Sequence, residues 1–326
     1  MTTANARAVV FAYHNVGARC LRVLRAHGMD VVLVVTHVDD PSEAQWFERV
    51  ADVADDLGLP WIAPPDPNHA DVVARVSALA PDFVFSFYYR RMLQAPLLAL
   101  PPRGALNMHG SLLPRYRGRA PVNWAVLNGE RRTGVTLHYM EVKPDAGDIV
   151  AQQAVPILPE DTAKDVADKV TVAAEICLDA VLPALVAGTA PRRPNRIEQG
   201  SYFGGRTPED GRIDWSQGAR AIHDLVRAVA PPYPGALTRV TGLPARVLRT
   251  RILDAAAPPC APMLAVMQLP VAAAPANPRG AGGAPSIVAQ CGGGGTLRID
   301  ALEIGGEPHS AAALQARFGD APLPLG

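Results

Sequence analysis

Cysteine is scarce in this chain. Its 326 residues hold four, Cys20, Cys177, Cys260 and Cys291. None forms a CxxC pair and none lies near histidine at metal-ligand spacing, so a zinc module, a dithiol redox motif and a disulfide scaffold are excluded and no metal is expected. The four read as reduced thiols. Excess charge is lacking as well: 31 Lys+Arg offset 31 Asp+Glu, without the basic surplus that phosphate contacts give a general nucleic-acid binder. No uncharged apolar run reaches about 18 residues, and no charged leader precedes an apolar segment. Nucleic-acid and membrane partners are therefore not expected, and the location is expected to be cytoplasmic. The first turn, "HNVGAR", has one glycine where a dinucleotide fingerprint needs three, which argues against an NAD site. No internal repeat is present.

What remains is a chain that is 48% hydrophobic and 19% charged, long enough for two domains. Apolar runs at Arg7–Tyr13, 31–37 and 82–89 read as buried strands. Helical patterns lie between them: residues 18–28 after an "HNVG" turn, 42–58 with Ser42 as N-cap, and 71–80. Alternating strands and helices predict an α/β fold with a Rossmann-like, doubly wound, mostly parallel sheet, whose ligands sit beyond the carboxyl ends of its strands. "TGVTLHYM" and "DIVAQQAVPI" read as a strand pair closing that sheet. A long helix follows, with Thr162 and Asp165 as a capping box and Gly188 as its stop.

The expected division is a Rossmann-like domain over 1–190, a Pro/Arg-rich linker over 191–200 and a β domain over 201–326. Short apolar runs between Gly and Pro predict an OB-like β-barrel there, entered by the helix "GARAIHDLVRAV". An Ala/Pro-rich stretch near 255–285 reads as a mobile inserted loop.

The chemistry concentrates in "NMHGSLLPRYRGRAP", Asn107 to Pro121. Asn107 and His109 end the strand "GALNMH", and side chains two apart on a strand face the same way. An amide that donates to a developing oxyanion and an imidazole that moves a proton near neutral pH suit nucleophilic attack on a carbonyl. A carboxylate should orient the imidazole. Asp145 in "KPDAGDIV" is the first candidate and Asp148 its competitor. Arg115, Arg117 and Arg119 on the Pro-bounded loop can present forks to phosphates or carboxylates.

The stretch above, followed by "NWAVLNGERRTGVTLHYM" and "DAGDIV" in order, resembles the N10-formyltetrahydrofolate-dependent formyltransferases. "FAYHNVG", "FSFYYRRML", "RYRGRAPVNW" and "YFGGRTPEDGRIDW" are similar to the branch that formylates UDP-4-amino-4-deoxy-L-arabinose, a step in lipid A modification and polymyxin resistance. The resemblance spans about residues 7 to 255. It implies Asn107, His109 and Asp145 as the catalytic trio. It implies binding of the co-substrate N10-formyltetrahydrofolate at Arg91, Met92, Leu93, Arg119, Glu141, Val142, Lys143, Pro144 and Asp145, partly through backbone groups. A UDP-amino sugar is the expected partner, with Tyr88, Tyr89, Arg206 and Arg227 as candidates on its side. A decarboxylase domain carried by some members has no room here and is expected on another protein.

Two relatives with the same chemistry stand as alternatives: methionyl-tRNA formyltransferase, and an enzyme for another nucleotide-linked amino sugar. From Ile197 to Gly326 eleven Arg and no Lys face ten acids, a poor charge balance for tRNA. A non-catalytic folate- or nucleotide-binding module is the rival of a different class. Whether the chain is a monomer or a homodimer, and whether His109 acts first as base or acid, the sequence leaves open.

Overall fold

In the computed structural model, residues 6–41, 45–269 and 283–326 are described. The chain divides into two compact units. The first comprises residues up to 122, 131–157 and 166–205, and the second comprises 123–130, 158–165 and 206–326.

The first unit opens with β1 (Arg7–Ala12), α1 (His14–Ala26), β2 (Asp30–Val35), α2 (Val50–Asp56), β3 (Trp61–Ile62), α3 (Ala70–Ala78), β4 (Phe83–Phe87), α4 (Ala95–Leu98) and β5 (Ala105–His109). The chain continues through β6 (Arg117–Gly118), α5 (Pro121–Leu127), β7 (Arg132–Tyr139), β8 (Ile149–Pro156), α6 (Ala163–Ala187) and β9 (Tyr202–Phe203). Seven strands form one sheet in the order β3-β2-β1-β4-β5-β7-β8. The first five run parallel, while β7 and β8 are antiparallel at the edge. The order reverses between β1 and β4, the kind of switch point beside which such sheets take ligands. Continuous apolar runs explain these central strands, since both faces are covered. Phe83, Phe85 and Phe87 stack at 5.6 and 5.5 Å along β4 and are fully buried.

α6 is long and apolar enough by composition to cross a membrane, with mean hydropathy 1.9, yet half of that window is buried inside the protein. That is the profile of a core helix. Its start carries the expected reciprocal cap: Thr162 N–H donates to Asp165 Oδ2 at 2.8 Å, and Asp165 N–H to Thr162 Oγ1 at 3.2 Å.

The second unit adds α7 (Ala219–Ala228), β10 (Ala236–Val240), β11 (Leu243–Asp254), β12 (Met263–Leu269), β13 (Ala284–Gln290), β14 (Thr296–Ile304), β15 (Glu307–Pro308), α8 (Ala311–Phe318) and β16 (Leu323–Pro324). Its antiparallel sheet runs β10-β11-β14-β13-β12-β16. A bridge between Val240 and Leu325 ties the two ends together, giving a nearly closed barrel. Ile222 and Val226 of α7 pack with Trp215, Val247, Leu264 and Leu297 in its core.

Several expectations are corrected. The "HNVG" turn is already the first turn of α1. The helix expected over 42–58 is described only at Val50–Asp56, and its proposed cap Ser42 lies outside the described residues. "MLAVMQL", assigned to the inserted loop, is strand β12. Its apolar run pairs with β13 from Met263↔Gln290 to Leu269↔Ala284. Residues 270–282 of that stretch lie outside the described residues. The expected linker packs within the first unit: Arg193 N–H and C=O pair with Ile149 at 2.9 and 2.7 Å, and Ile197–Gln199 make a 3-10 turn. Helix α8, capped by Ser310 Oγ at 3.1 Å from Ala313 N–H, was not expected.

Candidate active site

Strand β5 delivers Asn107 and His109 to the carboxyl edge of the sheet, one pleat apart. The loop between β7 and β8 brings Asp145. Glycine is required there, because a Cβ on Gly147 would stand 2.1 Å from the Tyr139 carbonyl oxygen. Asp145 Oδ1 lies 3.5 Å from His109 Nδ1, and its Oδ2 accepts the Gly118 N–H at 2.9 Å. Asp148, the competing carboxylate, pairs with Arg192 at 2.7 Å instead.

A fourth side chain joins the trio. His138 on β7 is the register partner of Asn107 across the antiparallel pair. Its Nδ1 is 2.8 Å from the Tyr139 carbonyl, which only accepts, so Nδ1 carries the proton. In neutral His138 the Nε2 lone pair then accepts from Asn107 Nδ2 at 3.1 Å. This contact fixes which end of the Asn107 amide is the donor. When His138 is charged, Nε2–H faces Asp145 Oδ1 at 3.5 Å instead. Sequence reasoning missed His138. The available signal was an imidazole inside an otherwise apolar strand, opposite Asn107.

His109 is 6% exposed. Its Nε2 lies 2.8 Å from the Tyr116 carbonyl and therefore donates to it. Burial pushes its pKa below the ordinary imidazole value, while the Asp145 carboxylate and the Tyr116 carbonyl pull the other way. For Asp145, burial raises the pKa. That is outweighed by His109, His138 and the Gly118 N–H, so the carboxyl sits well below the usual range. The result is a carboxylate fixed between two imidazoles, with an oriented amide beside them. Such a set can stabilise negative charge on a carbonyl oxygen and relay a proton.

Left-handed backbone gathers at this edge. Tyr88, Tyr116 and Asp145 have φ of 58°, 57° and 49°, a conformation that costs non-glycine residues about 1 kcal/mol or more and persists where surroundings enforce it.

The predicted co-substrate positions divide by environment. Met92 and Val142 are 55% and 71% exposed, whereas Leu93 is buried. Arg91, Glu141 and Lys143 are exposed, Pro144 is half-buried, and Arg119 gives its N–H to the Phe203 carbonyl at 3.0 Å. Exposed apolar side chains beside a buried leucine suit a flat, partly apolar ligand. The 88–94 loop is held by His37, whose Nε2 accepts the Arg90 N–H at 3.1 Å. Burial, then Arg90 and Arg91, lower the His37 pKa to about 4, which keeps that acceptor neutral.

The candidates for the acceptor side differ in availability. Tyr88 reaches the site directly: a Cβ on Gly110, the neighbour of His109, would meet its Oη at 2.1 Å. Tyr89 stacks on His37 at 4.1 Å, and burial pushes its hydroxyl up to about 12. In the second unit, Arg206 lies 5.0 Å over the Trp124 ring and its Nη1 carries no hydrogen bond among the described residues. Arg227 is 7% exposed, pairs with Asp224 at 2.7 Å, and gives its remaining donors to the Asp161 and Val126 carbonyls. Its forks are committed to the interior of the fold, so the structure assigns it a packing role.

The profile described as "Formyl transferase" matches residues 6–182, more than half of the chain. The chain belongs to the formyl transferase family. A second profile, "Formyl transferase, C-terminal domain", matches residues 206–318 of this formyltransferase. Among solved structures, WlaRD, a sugar 3N-formyl transferase studied with dTDP and 5-N-formyl-THF, is similar at TM-score 0.67 and 15% identity, over 94% of this chain and 100% of that one. The N-formyltransferase of Helicobacter canadensis, in complex with folinic acid and dTDP-3-aminofucose, gives 0.64 and 16%, over 94% and 100%. Glycinamide ribonucleotide transformylase 1 of Symbiobacterium toebii gives 0.51 and 22%, over 59% of this chain and 93% of that one. At these identities the likeness is one of fold.

Proposed function

We propose that this formyltransferase moves a formyl group from N10-formyltetrahydrofolate to the amino group of a nucleotide-linked amino sugar, with UDP-4-amino-4-deoxy-L-arabinose as the acceptor and the cytoplasm as the place. The observation that carries the reading is the convergence of Asn107, His109 and Asp145 at one strand edge, at the distances given above. Support for a folate donor and a sugar-nucleotide acceptor comes from the two sugar N-formyltransferases that match over nearly the whole chain.

The acceptor amine attacks in its neutral form. As negative charge grows on the formyl oxygen, the Asn107 amide donates to it, its orientation held by His138. For His109 to carry the proton from the attacking nitrogen to the departing one, its Nε2 leaves the Tyr116 carbonyl while Nδ1 keeps its proton toward Asp145. Asp145 stabilises the imidazolium at its charged stage. Each role is worth about 10² to 10⁴ in rate.

A second reading keeps the chemistry and changes the sugar: both full-length neighbours were studied with dTDP or a dTDP-sugar. The test is an assay with N10-formyltetrahydrofolate and UDP-4-amino-4-deoxy-L-arabinose, run beside dTDP-3-amino sugars and methionyl-tRNA, with products identified by mass. Formylation mainly of the UDP-pentose supports the first reading. Formylation only of another acceptor replaces it.

A further inference from the structure

We infer that Asn68 is a positioning residue that presents the backbone of the 91–94 loop to the formyl donor; this rests on the folate reading of that loop. Asn68 stands just before α3, is half-buried, and was not singled out by the sequence. Its amide spans the loop. Nδ2 donates to the Met92 carbonyl at 3.0 Å, and Oδ1 accepts the Gln94 N–H at 2.8 Å. Asp66 Oδ1 receives both the Asn68 N–H at 3.0 Å and Nδ2 at 3.3 Å. Met92 O and Asp66 Oδ1 only accept and Gln94 N–H only donates, so all three partners demand the same orientation of the amide.

The consequence follows from peptide geometry. In a trans peptide the carbonyl of one residue and the N–H of the next point in opposite directions. The Met92 carbonyl turned to Asn68 therefore sends the Leu93 N–H to the other side. The Gln94 N–H turned to Asn68 sends the Leu93 carbonyl to that same side. Leu93 thus offers a donor and an acceptor together, facing away from Asn68. Neither makes a hydrogen bond among the described residues, although Leu93 is 5% exposed. Buried backbone groups rarely stay unpaired. A donor–acceptor pair on one residue matches the edge of a planar heterocycle that carries an amide-like carbonyl and an amino group. Asn68 makes no contact with that ligand in this arrangement. It fixes two peptide planes that would otherwise be paid for at binding.

The test is calorimetric binding of 5-formyltetrahydrofolate, which needs no acceptor, to the full chain and to Asn68→Ala, with circular dichroism as the fold check. Binding weaker by about tenfold or more in Asn68→Ala, with the acceptor KM within about twofold of wild type, is expected from the loss of two hydrogen bonds. Equal binding by wild type and Asn68→Ala overturns the inference, as does a fall in kcat with folate binding unchanged. Absence of binding to the wild type removes the folate reading itself, and this inference with it. Should Asn68→Ala not fold, Asn68→Asp keeps the acceptor for Gln94 but turns a carboxylate oxygen against the Met92 carbonyl and the Asp66 carboxylate. A loss of about tenfold or more is then expected, and wild-type affinity in Asn68→Asp refutes the donor's role.

Discussion

Asp145→Asn separates charge from shape at the centre of the site. Asparagine has the size of aspartate and tolerates the left-handed backbone at φ 49°, so the loop should keep its course. The amide oxygen can still accept from Gly118. Its NH₂ then faces His109 Nδ1 and His138 Nε2 and holds both nitrogens as acceptors. His109 is thereby held neutral, with its proton on the Nε2 that faces Tyr116. A unit charge 3.5 Å from the imidazolium, at an effective dielectric constant near 20, is worth about 5 kcal/mol. At 1.36 kcal/mol per decade, that corresponds to a kcat lower by about 10³ to 10⁴, within the 10² to 10⁴ of a lost acid–base partner. The assay is steady-state formylation with both substrates saturating. A kcat within about tenfold of wild type would refute the role given to Asp145. Stability carries a second signature. The carboxyl titrates below its unfolded value, so its contribution is present above the ordinary carboxylate range and fades as pH falls through the folded value. Asp145→Asn should therefore be the less stable protein near pH 7 by urea denaturation, and the gap should close in acid. Asp145→Ala should lose about 1 kcal/mol more, since alanine gives up the left-handed tolerance.

Arg227→Met should leave the Asp224 carboxylate buried and unpaired in the second unit and cost about 3–5 kcal/mol, read as a lower urea midpoint. Little change there would contradict the packing role. Gly147→Ala drives a Cβ into the Tyr139 carbonyl oxygen at 2.1 Å and should displace Asp145, seen as loss of turnover or of soluble protein. Gly110→Ala meets the Tyr88 hydroxyl at 2.1 Å and Pro121 Cγ at 3.4 Å, side-chain atoms rather than backbone, so turnover should fall while the thermal midpoint holds within a few degrees. His37 titrates at about 4 against an unfolded value of 6.5, so folded protein resists its protonation and stability is lost as pH drops through that window. Because the ring is partly solvated, about 1 kcal/mol is expected at pH 4.5 after screening. His37→Asn should flatten the urea-midpoint slope between pH 6.5 and 4.5.

Much of the frame was legible because it rests on periodicity. β1, β2, β4 and β5 are short apolar runs at helix-length spacing, and the doubly wound sheet follows. Of the barrel strands, β10, β11, β13 and β14 were legible for the same reason; β12 was masked by the Pro- and Ala-rich composition around it, and the two-residue β15 and β16 are too short to show a period. At the site, two-residue spacing on β5 already put Asn107 beside His109. The ranking of Asp145 ahead of Asp148 was legible from Gly147 in its loop; the removal of Asp148 as a competitor was not, because it turns on Arg192 drawing that carboxylate away. His138 and Asn68 act through tertiary neighbours 31 and 24 to 26 positions distant, and no local pattern announces such pairs. Arg227 shows the opposite failure: a charged residue in the last turn of α7, just before a Pro-rich stretch, reads as ligand-facing until its burial is known.

The left-handed residues at the carboxyl edge of the sheet also bear on how this sequence can drift. Tyr88, Tyr116 and Asp145 occupy backbone that a β-branched side chain enters only with strain, so random substitution at these positions is filtered by conformation before it is filtered by chemistry. Glycine and asparagine are the easy passages. A mutational library that allows only those two and the parent residue at the three positions should keep far more folded members than one that samples all twenty, and the folded fraction, sorted apart from activity, would measure how much of the constraint on this edge belongs to the main chain.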